Sequence, residues 1–279
     1  ALKNPEYAAT LKAIRDGGAK AFYEGDIAAD IVRVARAQAS ASDLTEADFS
    51  AYRVFERDPV CAPYRGLRVC GMPPPSSGGI AVAQILSLVE RFPLAAWGPN
   101  APDSLHVFAE AGRLAFADRN RYLADPDFVA IPRGMLDAAY LKLRGSQIDL
   151  SRSMKRAEAG TPPGSKVALA PDATIEASGT SHISVVDRYG NAVAMTTTIE
   201  DQFGARVMVR GFLLNNELTD FSFVPQEGGQ LVANRIEAGK RPRSSIAPTI
   251  VYDRHNKPLI VTGSPGGSAI INYVAKSIV

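Results

Sequence analysis

The sequence predicts an α+β protein in which helices pack over an antiparallel sheet. Apolar residues recur at helical spacing through much of the first half, and they alternate in short β-rich runs after residue 180. Helices come first and strands afterwards, an order that does not build a βαβ array. Of the 279 residues, 46% are hydrophobic and 22% charged, which suits a chain with a real core and excludes intrinsic disorder. Lys+Arg 31 against Asp+Glu 29 gives a net charge of +2, so no basic excess points to nucleic acid or an anionic membrane. No apolar run reaches the ~18 residues needed for a membrane span. Residues 1–20 carry no signal-peptide pattern. A soluble globular protein is predicted.

The first 45 residues read as helical. Ala9, Leu11, Ile14 and Ala19 share a face, Gly25 breaks the run, and Asp26 is placed to cap a second helix carrying Ile27, Ile31, Val34 and Ala35. A hairpin then runs from Val60 to Cys70 and turns at Arg65-Gly66. A two-residue loop there sets Cys61 opposite Cys70 at a non-hydrogen-bonded pair, where side chains lie closest. Two cysteines are too few for a disulfide scaffold or a thiolate zinc site. They read as buried thiols packed as small hydrophobes or, if joined, as the mark of an oxidising compartment. Pro73-Pro74-Pro75-Ser76-Ser77-Gly78-Gly79 punctuates the chain and opens an apolar helix from Ile80 to Val89. Asp103 is placed to cap a longer helix with Leu105, Phe108, Ala109, Leu114 and Ala115 inward, and a short helix follows from Met135 to Leu143.

Residues 151–179 carry Arg, Lys, Gly and Pro without apolar periodicity, and so long a structureless stretch in a compact protein is a functional or flexible segment. The pattern then turns strongly β. Ile183–Val186 and Ala192–Thr198 form a hairpin around Asp187–Asn191, Phe212–Leu214 is a further strand, and Ile250–Tyr252 pairs with Leu259–Thr262 around Asp253–Lys257. Gly263-Ser264-Pro265-Gly266-Gly267-Ser268 opens a last helix.

Chemistry centres on Thr180. The polar tract ends at Ser178-Gly179, and Thr180-Ser181-His182 leads into the first β run. A threonine hydroxyl needs a base, and an N-terminal threonine carries its own α-amine, titrating near ~8 where a lysine titrates near ~10. A loop ending just before a threonine at a strand start is what self-cleavage to such an N-terminus requires; alone, a Gly-Thr before a strand is a turn. The glycine N–H groups of Gly266-Gly267 at a helix start can hold an oxyanion. The loop lacks the Lys-Ser/Thr of a phosphate-binding P-loop. Leu214–Ser222 supplies Glu217 and Asp220 three residues apart, and Lys240–Thr249 supplies Ser244-Ser245; together they can grip an amino-acid ammonium and carboxylate. His106, His182 and His255 are scattered and offer no metal site.

Thr180–Asp187, Gly190–Val193, Leu214–Glu217, Lys240–Ser245 and Gly263–Ser268, with the earlier Tyr64-Arg65-Gly66 and Pro73–Gly79, occur in an order and spacing that resembles the gamma-glutamyltransferase (glutathione hydrolase) family over nearly the whole chain. The resemblance implies an N-terminal nucleophile hydrolase with an αββα four-layer sandwich of antiparallel sheets. It implies a proenzyme cut between Gly179 and Thr180 into a large-subunit part, residues 1–179 with 151–179 as a flexible pre-cleavage segment, and a small-subunit part, residues 180–279. Both belong to one domain and form a heterodimer from one precursor. Thr180 would attack the γ-glutamyl amide, Thr198 would orient it, and Gly266 and Gly267 would hold the oxyanion. Glu217 and Asp220 would bind the substrate ammonium and Ser244 and Ser245 its carboxylate. The implied partners are glutathione or other γ-glutamyl compounds, with water or an amino acid or peptide as acceptor, and no cofactor.

Three departures qualify the resemblance. Glu200 stands where the family usually has an asparagine, so three carboxylates converge on one ammonium and one of them is expected to stay protonated. This variation resembles a glutathione hydrolase-like or cephalosporin acylase-like branch. The segment from Phe203 to Gly211 is short against family members, which opens the pocket rim. The family's large subunit also begins upstream of Ala1, in a region holding the arginine that pairs with the α-carboxylate, and the small one continues past Val279; this chain is expected to be an internal portion of an uncut precursor. The alternatives are an acylase for glutaryl side chains and a silent relative that binds amino-acid conjugates. The compartment, periplasmic or secreted against cytoplasmic, stays open.

Overall fold

The structure is a computed structural model that describes residues 3–166, 168–174, 176 and 179–279. Ser178, at the end of the polar tract, and Val167, Ile175 and Ala177 within it lie outside the described residues. The chain gathers into two compact units, Ala1–Arg57 with Asp201–Asn216, and Asp58–Glu200 with Glu217–Val279.

The smaller unit holds helices α1 (Pro5–Tyr23), α2 (Asp26–Arg36) and α3 (Glu46–Ala51) and a short hairpin, Met208–Val209 with Phe212–Leu213. Two caps differ from the sequence reading. Asn4 caps α1, its side chain accepting from Tyr7 N–H, and Gly25 occupies the N-cap of α2 while Asp26 sits in its first turn. The buried face of α1 also differs: Thr10 is buried whereas Leu11 is exposed. Thr10 Oγ1 donates to Arg210 C=O at 3.0 Å and Asn4 Nδ2 to Gly211 C=O at 2.7 Å, so polar bonds to the hairpin select the face that apolar spacing misplaced. Ile27 and Ile31 of α2 pack on Val209.

The larger unit is built on a four-stranded antiparallel sheet of β1 (Val60–Tyr64), β2 (Leu67–Gly71), β5 (Thr249–Tyr252) and β6 (Pro258–Thr262), in the order β1-β2-β5-β6. Between β2 and β5 in the chain come β3 (Thr180–Val186) and β4 (Ala192–Thr198), a hairpin of its own. Cys61 pairs with Cys70 as the two-residue loop predicts, and the two are joined as a disulfide, which replaces the reading of two packed thiols. The helices are α4 (Gly78–Val89), α5 (Leu94–Trp97), α6 (Pro102–Tyr122), α7 (Ala138–Gly145) and α8 (Ile270–Ile278).

Eleven residues of α4 are buried, as expected of a helix that is apolar all round. Its Ile85 and Leu86 belong to one core cluster with Leu114 and Ala115 of α6, Ile270 and Ile271 of α8 and Val251 of β5; each buried Leu, Ile or Val side chain contributes about 1.5–3 kcal/mol. On α6 the inward face is rotated from the sequence reading: Val107, Ala111, Leu114 and Ala115 are buried, and Leu105 and Ala109 are exposed. Ala101 is the N-cap and Asp103 lies in the first turn. Glu110, Asp118 and Arg119 take inward positions, so polar residues interrupt the apolar stripe. Residues 151–179 form neither helix nor strand among those described. They are nonetheless tied down: Met154 N–H donates to Glu110 at 2.9 Å, Gly160 N–H to Asp118 at 2.8 Å and Ala170 N–H to Leu231 C=O at 3.0 Å.

Candidate active site

Strand alternation sets the site. Thr180, the first residue of β3, lies directly opposite Thr198, the last of β4, and His182 lies opposite Thr196 on the same face. His182 Nδ1 and Thr196 Oγ1 are 2.8 Å apart, and the imidazole packs so closely on Gly263 that a Cβ there would lie 2.2 Å from the ring. The start of the diglycine loop is thereby seated against β3. Burial lowers the pKa of His182, so the ring is neutral near pH 7.

The loop ends in Gly266 and Gly267, both at positive φ (134° and 55°), a region L side chains rarely adopt. Gly267 starts the turn that leads into α8 and lines the pocket with Thr180 and Thr198. Gly266 precedes it, outside that lining, and a Cβ on it would lie 2.9 Å from the Tyr273 ring.

The pocket is otherwise walled by Glu176, Glu200, Glu217, Asp220, Ser244 and Ser245, so it gathers all but Gly179 and Gly266 of the threonines, acids, serines and glycines singled out from sequence. A 3-10 turn from Glu217 to Asp220 sets those two carboxyls on one side, since residues three apart eclipse in that geometry. Glu200 is buried at positive φ (74°), and its N–H donates to Thr198 Oγ1 at 2.8 Å. Burial, and next the charge of Glu200, push Glu217 up to about 7 against a hydrogen bond from Thr198. Burial, and next the charges of Glu176, Glu217 and Glu200, push Asp220 up to about 8.

The serines are held by the Pro-Ser-Gly motif. Ser77 N–H and Oγ donate to Ser244 C=O at 2.7 and 2.8 Å, Ser76 Oγ donates to Ile246 C=O, and Ser244 N–H reaches Pro75 C=O at 3.3 Å. A Cβ on Gly78 would lie 2.3 Å from Ile246 C=O, so the close approach requires glycine. The motif read as a helix opener is also the clamp on Ser244–Ile246.

Sequence reasoning missed the cations beneath the serines. Arg119 is buried; its Nε donates to Ser77 Oγ at 2.8 Å and its Nη2 to Ser245 Oγ at 2.5 Å and to Glu176. Ser245 Oγ also donates to Glu176. Arg243, fully buried, pairs with Asp172 at 3.0 Å and lies 3.7 Å from Glu176; burial, reinforced by Arg119, lowers it to about 10. Burial works most strongly against ionisation of Glu176, yet Arg119 and Arg243 outweigh it and hold the carboxyl below its usual range. No local signal marks Arg119 or Glu176. Their pairing spans 57 residues. Among the described residues no group of His, Cys, Asp and Glu could hold a metal ion, and no helix is long and apolar enough to cross a membrane.

The whole chain, residues 1–279, matches the family model for gamma-glutamyltranspeptidase. The chain is 40% identical over 288 residues to a glutathione hydrolase proenzyme of Escherichia coli, and 34% identical over 281 residues to an acylase ACY 1 proenzyme of Pseudomonas sp.. Each alignment covers 100% of this chain and 47% of the relative, so the chain spans about half the length of the curated relatives it matches. Among solved structures, a cephalosporin acylase from Bacillus halodurans superposes on 98% of the chain, and 46% of its own, at a TM-score of 0.79 and 24% identity. A Helicobacter pylori gamma-glutamyltranspeptidase superposes on 57% of the chain, and 45% of its own, at 0.53 and 36% identity.

Proposed function

Because the chain belongs to the gamma-glutamyltranspeptidase family, we propose that it cuts itself between Gly179 and Thr180 and then hydrolyses or transfers the γ-glutamyl group of glutathione-like amides. Its fold is that of the N-terminal nucleophile hydrolases, helices over antiparallel sheet. The observation that carries the proposal is the convergence of Thr180, Thr198, Gly267, Ser244, Ser245, Glu200, Glu217 and Asp220 on one pocket.

In self-cleavage Thr180 Oγ adds to the Gly179 carbonyl carbon and the C–N bond breaks, its proton passing to the departing nitrogen. Water then hydrolyses the ester, leaving a Gly179 carboxylate and a free Thr180 amine. In turnover that amine takes the hydroxyl proton as Thr180 Oγ attacks the γ-carbonyl, and returns it to the leaving amine. Thr198, opposite Thr180 in the ladder, orients the nucleophile. The N–H groups of Gly266 and Gly267 stabilise the tetrahedral oxyanion; losing one such donor costs about 3–4 kcal/mol of barrier. Glu217, Asp220 and Glu200 take the ammonium, and Ser244 and Ser245 the α-carboxylate. Water or an acceptor amine releases the acyl group. Large and small fragments stay together as a heterodimer.

One observation favours a second reading, an acylase for glutaryl side chains: with Glu217 near 7 and Asp220 near 8, much of the acidic cluster is neutral at pH 7 and attracts an ammonium weakly. Mass spectrometry of the purified protein tests the cut, with two pieces meeting at residue 180 expected and one uncut mass against it. Turnover of a γ-glutamyl anilide above a glutaryl anilide is expected; the reverse order supports the acylase, and no turnover of either supports a silent binding relative.

A further inference from the structure

The Cys61–Cys70 disulfide lies apart from the pocket of Thr180, which neither cysteine lines. Among the described residues β1 is an edge strand of its sheet. Cys61 stands opposite Cys70 and Cys70 opposite Ile250, while Pro63, Arg68 and Tyr252 stand opposite one another in a nearby row. These rows share the face of the sheet turned away from the core, because Val69 and Val251 at the alternate positions belong to the core cluster. On that face Cys61 is exposed, whereas Cys70 is buried.

Arg68 Nη1 donates to both sulfurs, at 3.3 Å to Cys70 Sγ and 3.7 Å to Cys61 Sγ. Its guanidinium lies 4.4 Å from the Tyr252 ring centroid, a cation–π contact that keeps it in place. A guanidinium beside a sulfur stabilises thiolate over thiol, and a sulfur that departs as a stabilised thiolate departs faster. The fold does not depend on this bridge for its strand order. It spans a sequence separation of only 9, and the β1–β2 and β2–β5 ladders already join the same strands.

We infer that Cys61–Cys70 is a thiol-exchange site that takes up a small thiol on Cys61, with Cys70 as the departing and later the resolving sulfur. The incoming thiolate attacks Cys61 Sγ, which belongs to the exposed cysteine. A new S–S bond forms there, the Cys61–Cys70 bond breaks, and its electron pair stays on Cys70 Sγ as a thiolate beside Arg68. The sulfur of the small thiol is oxidised and that of Cys70 is reduced, so the exchange needs no other oxidant or reductant. In the reverse step the Cys70 thiolate attacks Cys61 Sγ and expels the small thiolate. Because these residues lie outside the pocket, the exchange stands or falls independently of the proposed function.

The test treats the oxidised chain with N-acetyl-L-cysteine, which carries neither a γ-glutamyl amide nor a free amine and so cannot enter the proposed reaction. Samples quenched in acid at early times are read by peptide mass spectrometry. The first adduct is expected on Cys61, with Cys70 as a free thiol. In Arg68→Gln the disulfide should open about three- to tenfold more slowly, and Arg68→Lys should keep most of the unmodified rate. Trp97 fluorescence certifies that each variant is folded. A first adduct on Cys70 overturns the inference, as does a bridge that stays closed at thiol concentrations that open a free cystine peptide. An Arg68→Gln chain that opens as fast as the unmodified one, or faster, overturns it too. The adduct position is read on the unmodified chain, so that result stands even where a variant fails to fold.

Discussion

The Asp172–Arg243 pair ties the segment before the proposed cut to the segment after it, and its worth is measurable. Both side chains are 0% exposed and meet at 3.0 Å. Asp172 also accepts from Thr174 N–H at 3.0 Å and from Asn234 Nδ2 at 3.1 Å. Burial works against its ionisation most strongly, but Arg243 and these donors prevail and hold the carboxyl below its usual range. Removing one partner of a buried pair leaves an uncompensated charge and costs about 3–5 kcal/mol. Asp172→Asn should fall at the lower end, since Glu176 lies 3.7 Å from Arg243 and compensates part of its charge. Arg243→Met should fall at the upper end, because it leaves buried Asp172 without its cation and takes one of two guanidiniums from Glu176. Trp97 is the chain's one tryptophan and packs against the core of the larger unit, so its fluorescence reports that unit's unfolding in urea. With a slope of about 2–3 kcal/mol per molar, the midpoint should drop by about 1–2 M. The double variant should be less damaged than the sum of the singles by about 2–3 kcal/mol. Effects that add to within about 0.5 kcal/mol would refute the reasoning, because the two charges would then not be compensating one another.

Glu217 at about 7 and Asp220 at about 8 lie above their usual values of 4.5 and 3.8, so these two carboxyls bind more protons in the folded chain than in the unfolded one between roughly pH 4 and 8, two groups against the one opposing imidazole of His182. Unfolding free energy should therefore fall as pH rises through that window. A Trp97-monitored urea series at pH 5 and pH 8.5 checks it, and Glu200→Gln should weaken the dependence by lowering Glu217. Gly78→Ala puts a Cβ 2.3 Å from the Ile246 carbonyl and should cost about 1–3 kcal/mol in urea unfolding, with loss of self-cleavage as Ser244–Ile246 shifts. Replacing Cys61 and Cys70 by Ser opens a loop of sequence separation 9 and should cost about 2.5 kcal/mol, read as a lower melting temperature than the oxidised chain.

The β half was legible because its signals are local. Alternation over 183–186 and 192–198 and the Asp187–Asn191 turn fix the register; the strand begins three residues earlier than that reading, at Thr180, and the same register sets Thr180 across from Thr198. The Arg65-Gly66 turn likewise fixed Cys61 against Cys70. The helical half was less legible because its inward faces are partly polar. Asp118 on α6 is buried, yet it accepts from Tyr140 Oη at 2.6 Å, Arg144 Nη2 at 3.1 Å, Gln84 Nε2 at 3.2 Å and Gly160 N–H at 2.8 Å. A periodicity that counts only apolar residues rotates such a helix away from its true face, as it did with Leu105 and Ala109. Glu176 lies in no helix or strand and was invisible because its partners are distant in sequence. Its partners are Arg119 and Ser245, 57 and 69 residues away, and nothing in the intervening sequence announces them.

The tract that follows α7 shows how polar anchors replace a missing apolar stripe. Glu110 holds Ser153 and Met154, Asp118 and Tyr122 hold Gly160, and Arg243 and Asn234 hold Asp172. Each anchor satisfies a group that would otherwise be buried without a partner, so the irregular chain can lie against the core without helix or strand. The bonds of Arg243 and Asn234 to Asp172 join residues on opposite sides of the 179–180 bond without depending on it. A cut at the proposed position would break none of them, so residues up to Asp172 would keep their places. Bonds of this kind are what would keep the two proposed fragments associated after a cut.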